Sequence, residues 1–404
     1  KVAAKHNMVC LLHEKPFEGI NGSGKHNNWS MITDDGVNLL DPGKTPSENI
    51  QFLVFLMAVI KAVDEYADLL RISVASAGND HRLGANEAPP AVVSIFLGDE
   101  LTEVLKSIEN DTYFTSHGAV QMDIGATVLP HFVKDNTDRN RTSPFAFTGN
   151  KFEFRMLGSA ASVANPNIVL NTAVAEALDQ FAKELDGVAP EDMEHAVHEL
   201  IKRAIKKHKR VIFNGNGYTD EWIEEAEKRG LYNLKSTPDA LPMWIAQKNI
   251  DLFTKHSIFT SEELHSRYEI WLENYSKTIN IESNTMVEMV QKDLLPSVMS
   301  YIEEIASTAS LKASVVPGIT CESETALITK LSGLQDAMTK GLEKLKADTA
   351  KAKATDDVLE NAKLYQAEVL EDMAELRKSA DEAETLIPDD LLPYPTYGKL
   401  LFYI

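Results

Sequence analysis

Cysteine is scarce. The 404-residue chain has two, Cys10 and Cys321, far apart and each inside an apolar pattern. That gives neither a disulfide framework nor zinc-ligand spacing, so a reducing cytoplasm is the expected compartment. No apolar run reaches the length of a membrane helix, so no membrane partner is expected. Basic charge is in deficit: 40 Lys and Arg face 61 Asp and Glu, a formal net charge of -21. Nucleic acid and anionic lipid both require a basic surface and are excluded as expected partners. Small anionic substrates stay open, because a local arginine cluster can oppose the global field. A starting Met and a signal peptide are also lacking. K-V-A-A-K-H-N runs at once into what looks like a helix end and a core strand. The expectation is that residues precede Lys1.

What is present is ordinary globular composition, 44% hydrophobic and 25% charged, with length for two or three domains. One stretch stands out, Asn21 to Ser30, reading N-G-S-G-K-H-N-N-W-S. Its glycines permit close approach of a ligand to the main chain. It reads as a gripping loop between a strand at Met8–His13 and another from Trp29 to about Leu40. Thr45 and Glu48 suggest a capping box, with Pro46 opening a buried helix to about Leu70. Residues 71–90 form a long polar loop, of the kind that carries function. A strand at Ala91–Leu97, a helix at Asp99–Asn110 and a strand at Gln121–Pro130 follow. After a turn-rich loop, Lys151–Met156 alternates: Phe152, Phe154 and Met156 on one face, Lys151, Glu153 and Arg155 on the other. Asn165-Pro166 starts a helix carrying Leu170, Val174, Ala177 and Phe181.

From about Gly187 the character turns helical. Helices are expected at 191–207, 219–229, 241–255 and 261–307, the last kinked at Pro296. Leu327, Leu331, Leu334, Met338, Gly341 and Leu345 are spaced 4-3-4-3-4. A second such seam runs from Ala362 to Ala383, and Thr355 caps between them. This is an antiparallel hairpin over about 321–386, read as scaffold or assembly element. The aromatic, apolar end of the chain should dock on the body.

Several residues carry candidate chemistry. Gly19 to His26 nearly matches a phosphate-binding P-loop, but histidine replaces the final hydroxyl residue and the following segment looks extended rather than helical. His26 is a candidate metal ligand or a structural histidine. Glu153 is a candidate ligand or a salt-bridge partner of Lys151 or Arg155. Arg82, Arg139, Arg141 and Arg155 lie in or beside irregular segments. They suit an anionic phosphorylated species, or else surface ion pairing.

Taken together and in order, N-G-S-G-K-H-N-N-W-S, R-L-G-A-N-E-A-P, N-R-T-S, K-F-E-F-R and A-N-P resemble the glutamine synthetase signature segments; K-P-F upstream also fits. The K-H-N-N-W variant, the N-E-A-P-P flap and the helical extension resemble the type III branch. The resemblance implies an α+β fold: part of an open β-barrel or sheet with flanking helices (1–186, catalytic), then a mainly helical extension (187–404). It implies that His26 and Glu153 bind one of two divalent metals, Mg²⁺ or Mn²⁺. It places Asn21, Gly22 and Arg82 at glutamate, Asn28 and Ser30 near ATP, Arg141 and Arg155 at the transferring phosphate, and Glu87 on the flap. The implied reaction is ATP-dependent ligation of ammonium to glutamate through γ-glutamyl phosphate. The implied assembly is a homo-oligomeric ring, a dodecamer of two hexamers, with sites between neighbouring subunits. Three departures stand out. The signature's second histidine is Asn28. A further family arginine falls near Ala146, with Arg139 as candidate substitute. The upstream metal glutamates and small N-terminal domain are not in this sequence, so the chain reads as a C-terminal portion, not a self-sufficient catalyst. Rival readings are a carboxylate–amine ligase with another amine, and an inactive scaffold or regulatory paralogue.

Overall fold

A computed structural model describes the chain outside residues 11–14, 16–18, 85, 113–120, 123–131, 134–140 and 403–404, and the backbone alone at 121–122 and 132–133. Two compact units emerge: residues 13–268, and residues 1–12 with 269–404. Position 186/187 falls inside the first of these, between two helices.

The first unit holds the sheet. Its strands are β1 (Gly24–Trp29), β2 (Ile95–Phe96), β3 (Gln121–Met122), β4 (Phe132–Val133), β5 (Phe145–Phe147) and β6 (Phe152–Gly158). Four form an open sheet in the order β1-β6-β5-β2, antiparallel except for the parallel β2–β5 pair; β3 and β4 pair separately. The fold is thus mixed α+β with a small open sheet. Phe152, Phe154 and Met156 are fully buried, and Phe145 stacks on Phe152 with ring centroids 4.6 Å apart. Helix α1 (Ile50–Glu65) contributes Phe52, 5.9 Å from Phe147. It is buried on most of its circumference, as expected of a run apolar all round. Helices α2 (Asp99–Glu109), α3 (Ala164–Leu185), α4 (Met193–His208), α5 (Asp220–Lys228) and α6 (Gln247–Lys255) complete the unit, with short turns of helix between them. The expected stripe on α3, Leu170, Val174, Ala177 and Phe181, is buried.

Local expectations need correction. Gly24–Trp29 is a strand rather than a gripping loop, because its amides and carbonyls pair with β6. Beyond it the chain keeps only an isolated bridge, Ile32 to Asn38, and not a strand to Leu40. Helix α1 starts at Ile50, not after Thr45: the Asn49 side chain accepts from the Phe52 amide at 3.1 Å and donates to Asp41 O, so it is the better cap. Met8–Cys10 is not strand; the Val9 amide instead donates to Leu401 O at 3.0 Å. The rest of that expected strand, most of the one at Gln121–Pro130, Pro16-Phe17 and Arg139 lie outside the described residues.

Helix α7 (Ser261–Met289) leads into the second unit. A π turn, Val290–Leu294, joins it to α8 (Leu295–Val315). Pro296, lacking an N–H, cannot complete the ordinary ladder, and the wider turn precedes it. Helices α9 (Glu322–Lys353), α10 (Val358–Leu364) and α11 (Leu370–Glu384) follow, the last two joined by a π turn at Tyr365–Val369. Lys330 pairs with Glu382, Lys344 with Asp372 and Lys351 with Glu368. Early residues of α9 thus meet late residues of α11, the pattern of antiparallel neighbours. Leu331, Met338, Leu345, Val369 and Leu376 are buried. Asp357, not Thr355, caps α10, accepting from the amides of Leu359 and Glu360. Tyr394 reaches Met289 O at 2.8 Å, whereas Tyr397 and Phe402 stay exposed. Among the described residues no helix is long and apolar enough to cross a membrane.

Candidate functional site

The charged face of β6 is itself buried. Glu153 and Arg155 are each 4% exposed. A buried carboxylate is tolerated only with compensating partners, and Glu153 has them. Arg155 Nε and Nη2 both lie 3.3 Å from Glu153 Oε2. His26 Nδ1 lies 3.6 Å from the same oxygen, too far for a hydrogen bond and close enough to share an ion. The His26 ring is 52% exposed against 5% for the Glu153 side chain, so the pair opens to solvent on one side only.

A break in strand register sets this geometry. Lys25 pairs with Leu157 and Asn27 with Phe154, so Arg155 and Met156 together oppose His26. Such a bulge re-aims side chains next to it. Asn28 pairs directly with Glu153 and therefore shares its face. The opposite face of β1 is anchored to α3: Asn27 Nδ2 donates to Asn167 at 2.8 Å and Trp29 Nε1 to Asn171 at 2.9 Å.

Arg82 braces the bulge from behind. It is 5% exposed, and its Nη1 reaches Met156 O at 3.2 Å and Asn79 Oδ1 at 3.3 Å. Gly24 makes room for it: a Cβ there would sit 2.0 Å from Arg82 Nη2. Asn79, almost fully buried, donates to Val74 O and Met156 O. That segment is held by buried Arg71, which pairs with Asp80 at 2.8 Å while Asp80 accepts from the Thr237 amide. Burial pushes the Asp80 carboxyl up from its ordinary value, against the pull of Arg71 and Thr237.

Glu87 and Arg141 form a second pairing, 3.2 Å apart and both largely exposed. Asn86 and Glu87 have φ of 52° and 70°, a left-handed conformation that non-glycine residues adopt at a cost. Asn21 and Gly22 lie in coil just before β1. The Ser30 hydroxyl is 3.0 Å from Asn38 Oδ1 and 2.9 Å from Asn150 O. The structure therefore brings His26, Asn28, Glu153 and Arg155 together and pairs Glu87 with Arg141. Arg82 turns its guanidinium to the carbonyls of β6. Among the described residues no group of three or more His, Cys, Asp or Glu could hold a metal ion. Two donors, an imidazole and a carboxylate, can supply part of a coordination sphere.

Sequence reasoning missed Asn79 and the loop Phe213–Tyr218. The loop's N-G-N-G-Y is a turn signal that could have been weighed.

Residues 196–312 match the family described as "Glutamine synthetase C-terminal domain". Across all of its length the chain is 56% identical to a glutamine synthetase of Butyrivibrio fibrisolvens, of which it covers 57%. It is 46% identical to a type-3 glutamine synthetase of Dictyostelium discoideum, over 99% of this chain and 55% of that protein. It is 37% identical to a glutamine synthetase of Bacteroides fragilis, over 100% and 56%. The chain spans a little over half the length of these curated relatives. Matched from end to end by three glutamine synthetases, and carrying that family's C-terminal domain in its helical part, the chain belongs to the glutamine synthetase family.

Proposed function

We propose that the complete protein ligates ammonium to glutamate at the expense of ATP, through γ-glutamyl phosphate, and that this chain supplies part of the site. The observation that carries the reading is the His26–Glu153 approach of 3.6 Å beside Arg155, on a strand face that is charged and yet buried. Buried charges of this kind are weak contributors to stability and are better explained by a ligand.

The donor set fits a Mg²⁺- or Mn²⁺-class ion. Glu153 and His26 would hold it, with oxygens of substrate and water and groups from beyond this chain completing the sphere. When bound, such an ion offsets the charge of nucleotide phosphates as a carboxylate approaches them. The chain's own residues do the rest. Arg155 and Arg141 oppose charge on the transferring phosphoryl group. Asn28 and Ser30, at the end of β1, lie near the nucleotide. Asn21 and Gly22 line the glutamate pocket, and Arg82, its guanidinium on the carbonyls of β6, backs it from behind the sheet. Glu87, on its strained segment, shields the acyl phosphate from water and accepts a proton from bound ammonium. The open sheet is one part of a barrel, residues 187–404 extend it, and the α9–α11 pair serves assembly of a homo-oligomeric ring.

The test is formation of γ-glutamyl hydroxamate from glutamate, hydroxylamine and Mg-ATP by the complete protein. Wild type should form it, and Glu153→Ala should lose about two orders of magnitude, the scale of removing one preorganised electrostatic group. Wild-type levels in that variant, or no product from wild type, would overturn the reading.

A further inference from the structure

The segment around Tyr218 lies against Thr142, the chain neighbour of Arg141, and against Pro90, at the end of the segment that carries Glu87. Ile212 bridges Ile95 in parallel, and the Phe213 amide donates to Ile95 O at 2.8 Å, so the segment extends the sheet past β2. Asn214 fastens its root. Its Oδ1 accepts from the amides of Leu97 and Gly98, and its Nδ2 donates to Thr102 Oγ1 at 2.8 Å. Phe213 stacks on Trp222 of α5, ring centroids 3.7 Å apart.

The tip is wedged between two candidate catalytic segments. The Gly217 amide donates to Thr142 Oγ1 at 2.7 Å, next to Arg141. A Cβ on Gly217 would crowd Thr142 O at 3.0 Å and come into contact with Pro90 Cγ at 3.4 Å. The Gly84 amide donates to Pro89 O at 3.0 Å, and Glu87 between them has a left-handed conformation. The Tyr218 hydroxyl is buried, with no hydrogen bond of normal geometry. Burial raises it above its ordinary value. The Glu87 backbone and the Arg82 guanidinium act against that rise and the Glu87 carboxylate adds to it.

We propose that the loop Phe213–Tyr218 is a positioning element of the site, in which Gly217 sets the distance between Thr142 and Pro90, at the end of the segment that carries Glu87, and the buried hydroxyl end of Tyr218 holds that spacing. The inference rests on the ligase reading. Its functional consequence is water exclusion. In the productive step ammonia attacks the acyl carbon of γ-glutamyl phosphate, the C–O bond to phosphate breaks, and glutamine and inorganic phosphate form. If the flap rides loosely, water attacks the same carbon, and glutamate and inorganic phosphate form instead. ATP is then cleaved without glutamine.

The experiment measures inorganic phosphate and glutamine in the same reaction, with the complete protein, ammonium, glutamate and Mg-ATP. Wild type should give equal amounts. Tyr218→Phe, which keeps the ring and its packing, should raise the phosphate-to-glutamine ratio by roughly fivefold, the scale of one buried polar contact. Gly217→Ala should raise it too. An unchanged ratio in Tyr218→Phe with an unchanged melting temperature overturns the proposal, as does a parallel fall in both products, which would mark a merely structural role. Absence of glutamate-dependent ATP cleavage in wild type would instead remove the ligase reading, and this inference with it.

Discussion

Glu153 and Arg155 stand two residues apart on one strand, both charged and both shut away from water. An apolar pair of similar volume would serve the fold as well or better, so packing alone does not account for them. The same logic applies to Gly24. Its neighbours need no unusual backbone angle of it; they need the space that Arg82 fills. Gly24→Ala should therefore displace the guanidinium from Met156 O and destabilise the protein by about 2 kcal/mol, the scale of forcing extra atoms into a packed site. Urea unfolding of the complete protein checks this, and an unchanged midpoint would contradict it. At this scale the sequence is informative where periodicity governs. The alternation of Lys151–Met156 is enough by itself to assign Glu153 and Arg155 to one face. It does not show that two residues of β6 oppose His26, because a register shift leaves no mark in the composition of either strand. Nor does it show Asn79, whose role depends on three elements meeting.

Among elements, the α3–α6 contact holds a compact ionic group. Lys255 lies 2.6 Å from Glu176 and 2.8 Å from Asp179, and His256 Nε2 lies 2.7 Å from Glu176. Bonds from Lys183 and Lys255 hold Asp179 down at about 2. Burial opposes ionisation of Glu176, but its bonds from Lys255, Gln180 and His256 outweigh that and lower it. Both carboxyls release their protons more readily folded than unfolded. Their contribution is complete above the ordinary carboxylate range and is lost as pH falls through it toward the folded values. Lys255→Met should thus lower the melting temperature most near neutrality, and the gap from wild type should narrow from about pH 5 to about pH 3. An equal gap at both would count against the assignment. The helices themselves are largely legible in the sequence, because long amphipathic or capped runs announce themselves. Their starts are less so: Asn49 and Asp357 displace Thr45 and Thr355 as caps, each by reaching amides that the other residue does not. The π turn at Tyr365–Val369 is invisible there, since widening a helix costs no distinctive residue type, whereas the one at Val290–Leu294 is signalled only as a kink at Pro296.

For the molecule as a whole, a net charge of -21 is a standing self-repulsion. Raising salt from about 0.01 M to about 0.15 M shortens the screening length from about 30 Å to about 8 Å. The melting temperature should rise over that interval. A fall would mean that the surface ion pairs matter more than the excess of like charge. The second unit also constrains how the polypeptide is made. Val9 is bonded to Leu401, partners separated by nearly the entire sequence. On the ribosome, residues 13–268 can close into their unit as soon as they clear the exit tunnel. The early segment must wait, unpaired, until Leu401 has been made before it meets its mate, and that late annealing is where premature termination would strike first.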